Sequence, residues 1–337
     1  MIREAISDII EGRRLSESDA AEVMTEIMEG QATPAQIGSL LTGLRLRGET
    51  VEEVTGFVRV MRRCAVPFSV SRPVIDTCGT GGDMSGTFNV STIAAFVAAG
   101  AGLAVAKHGN RSVSSRCGSA DVLEAMGVDI ALAPDRASAC LEQNGFAFLF
   151  AQRYHPAMKH AAGPRRELGI RTAFNIMGPL ANPAGATAQV VGVYALELTE
   201  FVARILDNLG TERALVVHGE PRLDEISICG PTRMTELRDG KIRTYTVTPE
   251  EFGLKRLQPE DIKGGDADAN AAIALSVLAG EAGPARDLTL LNAGAALYVG
   301  GLAGDLGEGI RLAGEVIDQG LAIACLERVR GVSGELH

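Results

Sequence analysis

The stretch DTCGTGGDMSGTFNVST, from Asp76 to Thr92, connects a predicted buried strand to a predicted helix. Val74 and Ile75 end a short apolar run before it, and the small and apolar residues 93–99 follow it. Strand, glycine-rich loop and helix in this order are the repeating unit of an α/β fold. The glycines let backbone N–H groups approach an anion, and the helix start adds the positive end of its dipole. We therefore predict a phosphate-binding loop here.

A second strand-to-helix connection carries more polar groups. The apolar run 103–106 leads into KHGNRSVSSRCGSAD, from Lys107 to Asp121. Lys107 can place a point charge on a phosphate, and the hydroxyls of Ser115 and Ser119 can complete a pyrophosphate site. Ligands of open parallel sheets bind at the carboxyl ends of strands, so the two loops are expected to share one crevice. The first loop alone would also fit a plain structural turn; the second favours the phosphate site.

Strand and helix patterns alternate after residue 73. The candidate strands are 74–75, 103–106, 128–132, 146–150, 189–193, 214–217 and 242–247. This alternation predicts an α/β domain over 74–337, with a mainly parallel central sheet flanked by helices. An antiparallel part is expected near 226–247, where Asp239 and Gly240 form a turn signal.

Residues 1–65 have helix patterns and no convincing strand. Thr33 caps a helix that starts at Pro34, and Thr50 with Glu53 forms a capping box before the next apolar face. We predict a small all-helical domain here, joined to the α/β domain by a hinge or linker at 66–73, whose two prolines favour an extended path. The apolar faces of such short helices pack either within the chain or against a second copy of it.

Composition is that of a soluble enzyme. The 337 residues are 46% hydrophobic and carry a net charge of −10, which argues against a nucleic-acid surface. The N-terminus is an amphipathic helix pattern rather than an apolar export segment, and the longest apolar run is too short for a membrane span. The six cysteines have no metal-ligand spacing and no dense disulfide pattern. We therefore expect a cytoplasmic protein with reduced thiols and no membrane partner.

An acidic pair, Asp224 and Glu225, follows the predicted strand 214–217. Two adjacent carboxylates suit Mg²⁺, which takes a few such ligands together with waters and substrate oxygens. An isolated acidic pair would more often be a solvated loop, but the two phosphate-type loops favour a magnesium site. Asp83, in the first loop, fits a bond either to sugar hydroxyls or to a metal ion.

These motifs resemble the anthranilate phosphoribosyltransferase family over essentially the whole chain. The stretches that carry the resemblance are 79–83, 107–121, 154–158, 164–169, 174–183 and 223–225. The first two are shared in looser form with pyrimidine nucleoside phosphorylases, whereas 174–183 and the acidic pair point to the transferase. In one departure, Pro221 and Arg222 stand where relatives tend to have Asp-Gly.

The resemblance implies transfer of the phosphoribosyl group from phosphoribosyl pyrophosphate to anthranilate in tryptophan biosynthesis, with Mg²⁺ as cofactor. It implies a homodimer through the helical domain, which parts of 154–185 join. The residues implied to bind phosphoribosyl pyrophosphate are Gly79, Gly82, Asp83, Thr87, Asn89, Val90, Ser91, Thr92, Lys107, Ser115 and Ser119. Those implied for magnesium are Ser91, Asp224 and Glu225, and those for anthranilate are Gly79, Asn110 and Arg165.

The chemistry is consistent with these roles. A guanidinium such as that of Arg165 pairs bidentately with a carboxylate. An aromatic amine attacks as the neutral base, so no strong general base is required. His108 is therefore open to three interpretations: a late proton acceptor, a bond to the acceptor carboxylate, or a structural residue. Two rival functions remain, a pyrimidine nucleoside phosphorylase and a non-catalytic nucleic-acid-binding relative.

Overall fold

The structure is a computed structural model that describes residues 1–112 and 116–334, so the predicted ligand Ser115 lies outside the described residues. The chain starts with four helices: α1 (Ile2–Ile10), α2 (Glu17–Met28), α3 (Pro34–Arg47) and α4 (Val51–Arg63). Ser16, Thr33 and Thr50 each close a capping box at the start of α2, α3 and α4. The N-terminal helical region predicted from the caps is thus present.

In the part of the chain that the structure describes, a seven-stranded sheet forms the rest of the framework. Its strands are β1 (Ile75–Gly79), β2 (Val105–Gly109), β3 (Phe146–Phe150), β4 (Ala188–Gly192), β5 (Arg213–Gly219), β6 (Thr232–Arg238) and β7 (Lys241–Val247). Their spatial order is β3-β2-β1-β4-β5-β6-β7. The first five strands in this spatial order, β3, β2, β1, β4 and β5, are parallel. Strands β6 and β7 add an antiparallel edge. This confirms the predicted fold class.

Helices cover the sheet on both faces. Those that follow in the chain are α5 (Val90–Gly100), α6 (Ser119–Ala125), α7 (Pro134–Asn144), α8 (Ala151–Tyr154), α9 (Lys159–Leu168), α10 (Phe174–Leu180), α11 (Leu198–Asn208), α12 (Ala267–Leu278), α13 (Pro284–Val299), α14 (Leu306–Asp318) and α15 (Leu321–Gly334). Short 3₁₀ turns lie at Pro156–Met158, Pro249–Phe252 and Pro259–Ile262. Within the described part of the chain, no helix combines the length and apolar character of a membrane span.

The described residues form two hydrophobic cores on opposite faces of the sheet. Strand β5 contributes to both, because Leu215 and Val217 belong to one core and Ala214 and Val216 to the other. The first core packs against α5 and the C-terminal helices, and the second against α11, α9, α10 and the N-terminal helices. A strand buried on both faces needs a continuous apolar run, which is why the segment 214–217 has one.

The predicted strand 128–132 is wrong. Its apolar residues Val128, Ile130 and Leu132 are buried, but they lie in a turn between α6 and α7. The side chain of Asp129 accepts a hydrogen bond from the N–H of Ala131 at 2.8 Å, which bends the backbone there. Alternating apolar residues therefore reach the core from a loop as well as from a strand.

Residues 66–73 lie along the α/β region. The ring of Phe68 packs edge-on against Tyr154, with centroids 5.9 Å apart, and the N–H of Ser71 donates to Glu142 at 2.8 Å. The domain boundaries at 65 and 74, and the hinge role of this segment, stay predictions.

Candidate active site

Four of the five parallel strands end in a glycine, at Gly79, Gly109, Gly192 and Gly219. A Cβ atom on Gly192 would lie 1.5 Å from the carbonyl oxygen of Asp224. A Cβ atom on Gly79 would lie 2.4 Å from Oδ2 of the same Asp224. The segment that carries the acidic pair therefore crosses the carboxyl ends of β1 and β4 at van der Waals distance. Only glycine leaves room for it.

The first loop and the acidic pair, distant in sequence, meet at this edge. The N–H of Gly81 donates to Asp224 Oδ2 at 2.7 Å, and the N–H of Asp224 faces Asp83 Oδ2 at 3.4 Å. Asp83 also accepts from the N–H of Ser85 at 3.1 Å, which turns the loop. Gly81 and Gly82 have φ values of +65° and +71°, in the region that glycine adopts without strain.

The carboxylates of this cluster repel one another in a partly buried setting. Burial, followed by the charge of Asp83, raises the pKa of Asp224 to about 7. Burial, followed by the charge of Asp224, raises the pKa of Glu225 well above its usual value. The ammonium of Lys107 and the N–H of Ser91 act on Glu225 in the opposite direction. A divalent cation would offset the same repulsion.

The donor set fits Mg²⁺ rather than a metal caged by protein. Among residues 1–112 and 116–334, no group of three or more His, Cys, Asp or Glu side chains has the arrangement of a metal site. Asp224 and Glu225 would thus supply two carboxylates, and waters and substrate oxygens would complete the shell, as Mg²⁺ prefers.

Lys107 lies at the end of β2 with its side chain buried. Its Nζ donates to the carbonyl oxygen of Thr77 at 2.5 Å and to Ser91 Oγ at 3.2 Å. Burial lowers its pKa, and the nearby charge of Asp76 raises it. At the start of α5, the buried Thr92 Oγ1 has no hydrogen-bond partner in the described part of the chain. The Lys107 ammonium and the Thr92 hydroxyl, which has no hydrogen-bond partner in the described residues, thus lie at the N-terminus of α5. A helix N-terminus stabilises a bound anion.

Several predicted ligands are held by the protein itself. Asn89 receives a hydrogen bond from Asn270 Nδ2 at 2.9 Å and donates to the carbonyl oxygen of Cys117 at 3.3 Å. Thr87 Oγ1 bonds Ser85 Oγ at 2.9 Å. Sequence reasoning missed Asn270; a polar residue in the otherwise small and apolar face of α12 was the available signal.

The second loop is anchored at its end. Ser119 starts α6, and its Oγ donates to the carbonyl oxygen of Asn110 at 3.3 Å. A Cβ on Gly109 would lie 2.2 Å from Ser119 Oγ, so this loop also depends on a glycine at a strand end. The side chain of Asn110 is exposed at the crevice side of β2 and accepts from the N–H of Arg111 at 2.8 Å.

Arg165 and Arg171 have different surroundings. Arg165 is half-buried on α9, with Cζ 4.7 Å from the ring centroid of Phe174, and burial lowers its pKa. Within the described residues no carboxylate offsets this effect of burial. Arg171 instead touches the first loop, because it donates to the carbonyl oxygen of Gly82 and stacks at 4.2 Å over Tyr194. No hydrogen bond in the described residues joins Arg165 to either loop.

His108 is buried beside a second histidine. Its ring centroid lies 5.1 Å from that of His155, and burial, followed by the charge of His155, lowers the pKa of His108 to about 3. A histidine with that pKa is neutral at neutral pH and accepts a proton poorly. Its Nε2 has no partner in the described residues, so it is open to a hydrogen bond from a ligand or water.

The sheet is mainly parallel, and its strand ends carry two phosphate-type loops and a carboxylate pair. A helical region covers one face. This arrangement is typical of a glycosyltransferase that acts on a phosphorylated substrate. The family described as "Glycosyl transferase family, a/b domain" matches residues 71–323, and "Glycosyl transferase family, helical bundle domain" matches residues 3–65. The chain belongs to the anthranilate phosphoribosyltransferase family within this class, as its relatives establish.

The anthranilate phosphoribosyltransferase of Moorella thermoacetica is 59% identical over 97% of both chains. That of Pelotomaculum thermopropionicum is 54% identical over 100% of this chain and 98% of its own. The crystal structure of the enzyme from Thermus thermophilus is 48% identical, with a TM-score of 0.93 over 98% of this chain and 99% of that one. The Saccharomyces cerevisiae enzyme in complex with phosphoribosyl pyrophosphate and Mg is 27% identical, with a TM-score of 0.91 over 99% of this chain and 98% of that one.

Proposed function

We propose that this protein transfers the 5-phosphoribosyl group from phosphoribosyl pyrophosphate to the amine of anthranilate. The products are N-(5-phosphoribosyl)anthranilate and pyrophosphate, in tryptophan biosynthesis. The observation that carries the proposal is the meeting of the first loop, Lys107 and the acidic pair at one edge of the sheet. Relatives have been solved with phosphoribosyl pyrophosphate and Mg, and with 4-fluoroanthranilate.

The phosphoribosyl pyrophosphate site is proposed to lie where β1 and β2 lead into α5 and α6. Backbone N–H groups of the glycine turn and the start of α5 would bind phosphate oxygens, and the Lys107 ammonium would neutralise their charge. The set is Gly79, Gly82, Asp83, Thr87, Asn89, Val90, Ser91, Thr92, Lys107 and Ser119, with Ser115 proposed from sequence alone.

Magnesium is proposed to bind Asp224, Glu225 and the hydroxyl of Ser91. When bound, it would stabilise the negative charge that develops on the leaving pyrophosphate. The chain's own contribution is to hold Asp224 against the strand ends at Gly79 and Gly192, and the backbone of Glu225 against Gly219.

Anthranilate is proposed to meet Gly79, Asn110 and Arg165. In the described residues burial lowers the pKa of Arg165 and no carboxylate offsets it, so the guanidinium is available to the acceptor's carboxylate. His108 would act as a neutral hydrogen-bonding group and not as a base, because its pKa is about 3. Positioning of the neutral amine against the ribosyl carbon then accounts for the chemistry of the acceptor side.

The protein is further proposed to be a cytoplasmic homodimer that binds neither nucleic acid nor membrane. Ile10 on α1 and Leu46 on α3 support the dimer, because they are 76% and 84% exposed on the helical region. The helices α9 and α10, within 154–185, share a core with α1–α4 and are proposed to belong to the dimerisation domain.

The test follows anthranilate fluorescence with phosphoribosyl pyrophosphate, with and without Mg²⁺. In the presence of Mg²⁺, wild type should consume anthranilate, so the fluorescence should fall; without Mg²⁺ it should stay constant. A variant carrying Asp224→Asn and Glu225→Gln should leave the fluorescence unchanged even with Mg²⁺. Asp239→Asn, in the exposed β6–β7 turn, is the matched control and should behave as wild type.

A folded wild type that leaves anthranilate unchanged but cleaves uridine with phosphate would replace this proposal by nucleoside phosphorolysis. Salt-sensitive DNA binding would favour the non-catalytic relative.

A further inference from the structure

Strand β1 pairs unequally with its two neighbours. It pairs with β4 at five positions, from Ile75 to Gly79, but with β2 only where Ile75 lies opposite Val105. A backbone bond there runs from the N–H of Ile75 to the carbonyl oxygen of Ala104, at 2.9 Å. The two strands therefore separate just before the crevice.

Several peptide groups released by this separation face side chains instead. If the ladder continued, the peptide of Thr77 would pair with those of Ala106 and His108. Instead, the Thr77 carbonyl accepts from Lys107 Nζ at 2.5 Å, and the Ala106 carbonyl accepts from Asn182 Nδ2 at 2.8 Å. The N–H of His108 faces Asp76 Oδ1 at 3.4 Å.

The side chains of Asp76 and Asn182 are hydrogen-bonded to each other between β1 and β2. Both are 0% exposed, and Asn182 Nδ2 donates to Asp76 Oδ2 at 2.8 Å. The other amide atom, Asn182 Oδ1, accepts from the N–H of Ala184 at 2.9 Å, which fixes the orientation of the side chain. Buried polar groups persist inside a sheet only when such bonds satisfy them, and here they replace a ladder that β1 and β2 could otherwise form.

We propose that Asp76 and Asn182 are positioning residues that hold β1 and β2 apart, so that the ammonium of Lys107 reaches the Thr77 carbonyl and the crevice. This inference rests on the proposed function, in which Lys107 binds the pyrophosphate. Without the pair, the His108 N–H would take the Thr77 carbonyl as its ladder partner, and Lys107 would lose the acceptor that orients it.

A double-mutant cycle on affinity for Mg²⁺-pyrophosphate, measured by calorimetry, tests the role without turnover. Asn182→Ala should weaken affinity about 30-fold in wild type but less than about threefold when Lys107→Met is already present, because both changes remove the same interaction. Asp76→Asn should give the same non-additive pattern. Gln189→Ala is the matched control: Gln189 is equally buried one strand away and bonds Pro179, so its effect should be small and the same in both backgrounds.

Equal fold-changes for Asn182→Ala in the two backgrounds would overturn the proposal, since they would show a general structural role. If that variant does not fold, Asn182→Ser and Asp76→Asn give the same comparison. A wild type that does not bind Mg²⁺-pyrophosphate would also overturn it. A wild type that binds pyrophosphate with the expected coupling, but does not consume anthranilate, would support the positioning role and overturn only the proposed function.

Discussion

Arg222 has a backbone φ of +134°, a region that glycine adopts freely and a residue with a side chain rarely does. It stands just before Leu223 and the acidic pair, at the position where the sequence departs from the Asp-Gly expected of relatives. The departure therefore leaves the carboxylates in place but puts a non-glycine residue into a glycine conformation.

We expect Arg222→Gly to raise the free energy of unfolding by about 1 kcal/mol, because relief of the unfavourable φ exceeds the entropy cost of glycine. Urea unfolding followed by circular dichroism measures it. Arg222→Ala removes the same exposed side chain but keeps the φ, so it should give no gain. An equal gain from alanine would attribute the effect to the side chain instead.

The raised pKa of Asp224, about 7, predicts a pH-dependent stability. Between the unfolded pKa, about 4, and the folded pKa, the folded chain binds the proton more tightly, so this group's contribution to stability falls as pH rises. Asp224→Asn removes the titration. Relative to wild type, the variant should gain up to about 4 kcal/mol between pH 4 and pH 8 without metal, at about 1.4 kcal/mol for each unit of the pKa difference.

Urea unfolding at four or five pH values measures the two curves, and Asp239→Asn serves as the control with a wild-type slope. Addition of Mg²⁺ at pH 8 should stabilise wild type and leave Asp224→Asn unchanged. Parallel pH curves for wild type and Asp224→Asn would show that the carboxyl group is not perturbed by folding.

The carboxyl ends of neighbouring strands together form the surface on which the acidic segment lies. Their glycines let the 224–225 segment lie across β1 and β4, so the metal ligands are held by packing against the backbone and not only by hydrogen bonds. The sequence shows each glycine, but it does not show which distant segment passes over it.

Gly192→Ala would place Cβ 1.5 Å from the Asp224 carbonyl oxygen, so the acidic segment must move. We expect a folded protein whose Mg²⁺ concentration for half-maximal activity rises at least about tenfold, a loss of about 1.4 kcal/mol in metal binding. Gly314→Ala, in α14, would place Cβ no closer than 3.9 Å to its nearest neighbour, Leu290, and should leave that concentration unchanged. Normal Mg²⁺ activation of Gly192→Ala would mean that the segment is not held by this contact.

At the scale of the whole molecule, the helical region and α11 cover one face of the sheet while α5 and the C-terminal helices cover the other. Exposed apolar residues remain on the helical region, notably Leu46 at 84% and Ile10 at 76%. In a dimer with two-fold symmetry each substitution acts twice, so a single buried charge has a large effect.

We expect Leu46→Glu to convert a dimer into monomers of 35.3 kDa, measured by size-exclusion chromatography with light scattering. Leu302→Glu, 42% exposed beyond α13, is the control and should stay dimeric. If Leu46→Glu remains a dimer with unchanged dissociation constant, the interface lies elsewhere.

Most local structures of this protein follow from short stretches of its sequence. Caps such as Thr50 start helices, apolar runs such as 214–217 form buried strands, and the glycine turn after β1 forms a loop with free N–H groups, because each depends on neighbours within a few residues. The sequence-based prediction failed at 128–132, where an alternating pattern lies in a turn. Contacts between distant residues depend on the three-dimensional fold: Asp224 meets Gly81, Asn270 meets Asn89, and Asn182 meets Asp76. The physical reason is that these contacts follow from the order in which strands pair and separate, which no local pattern contains.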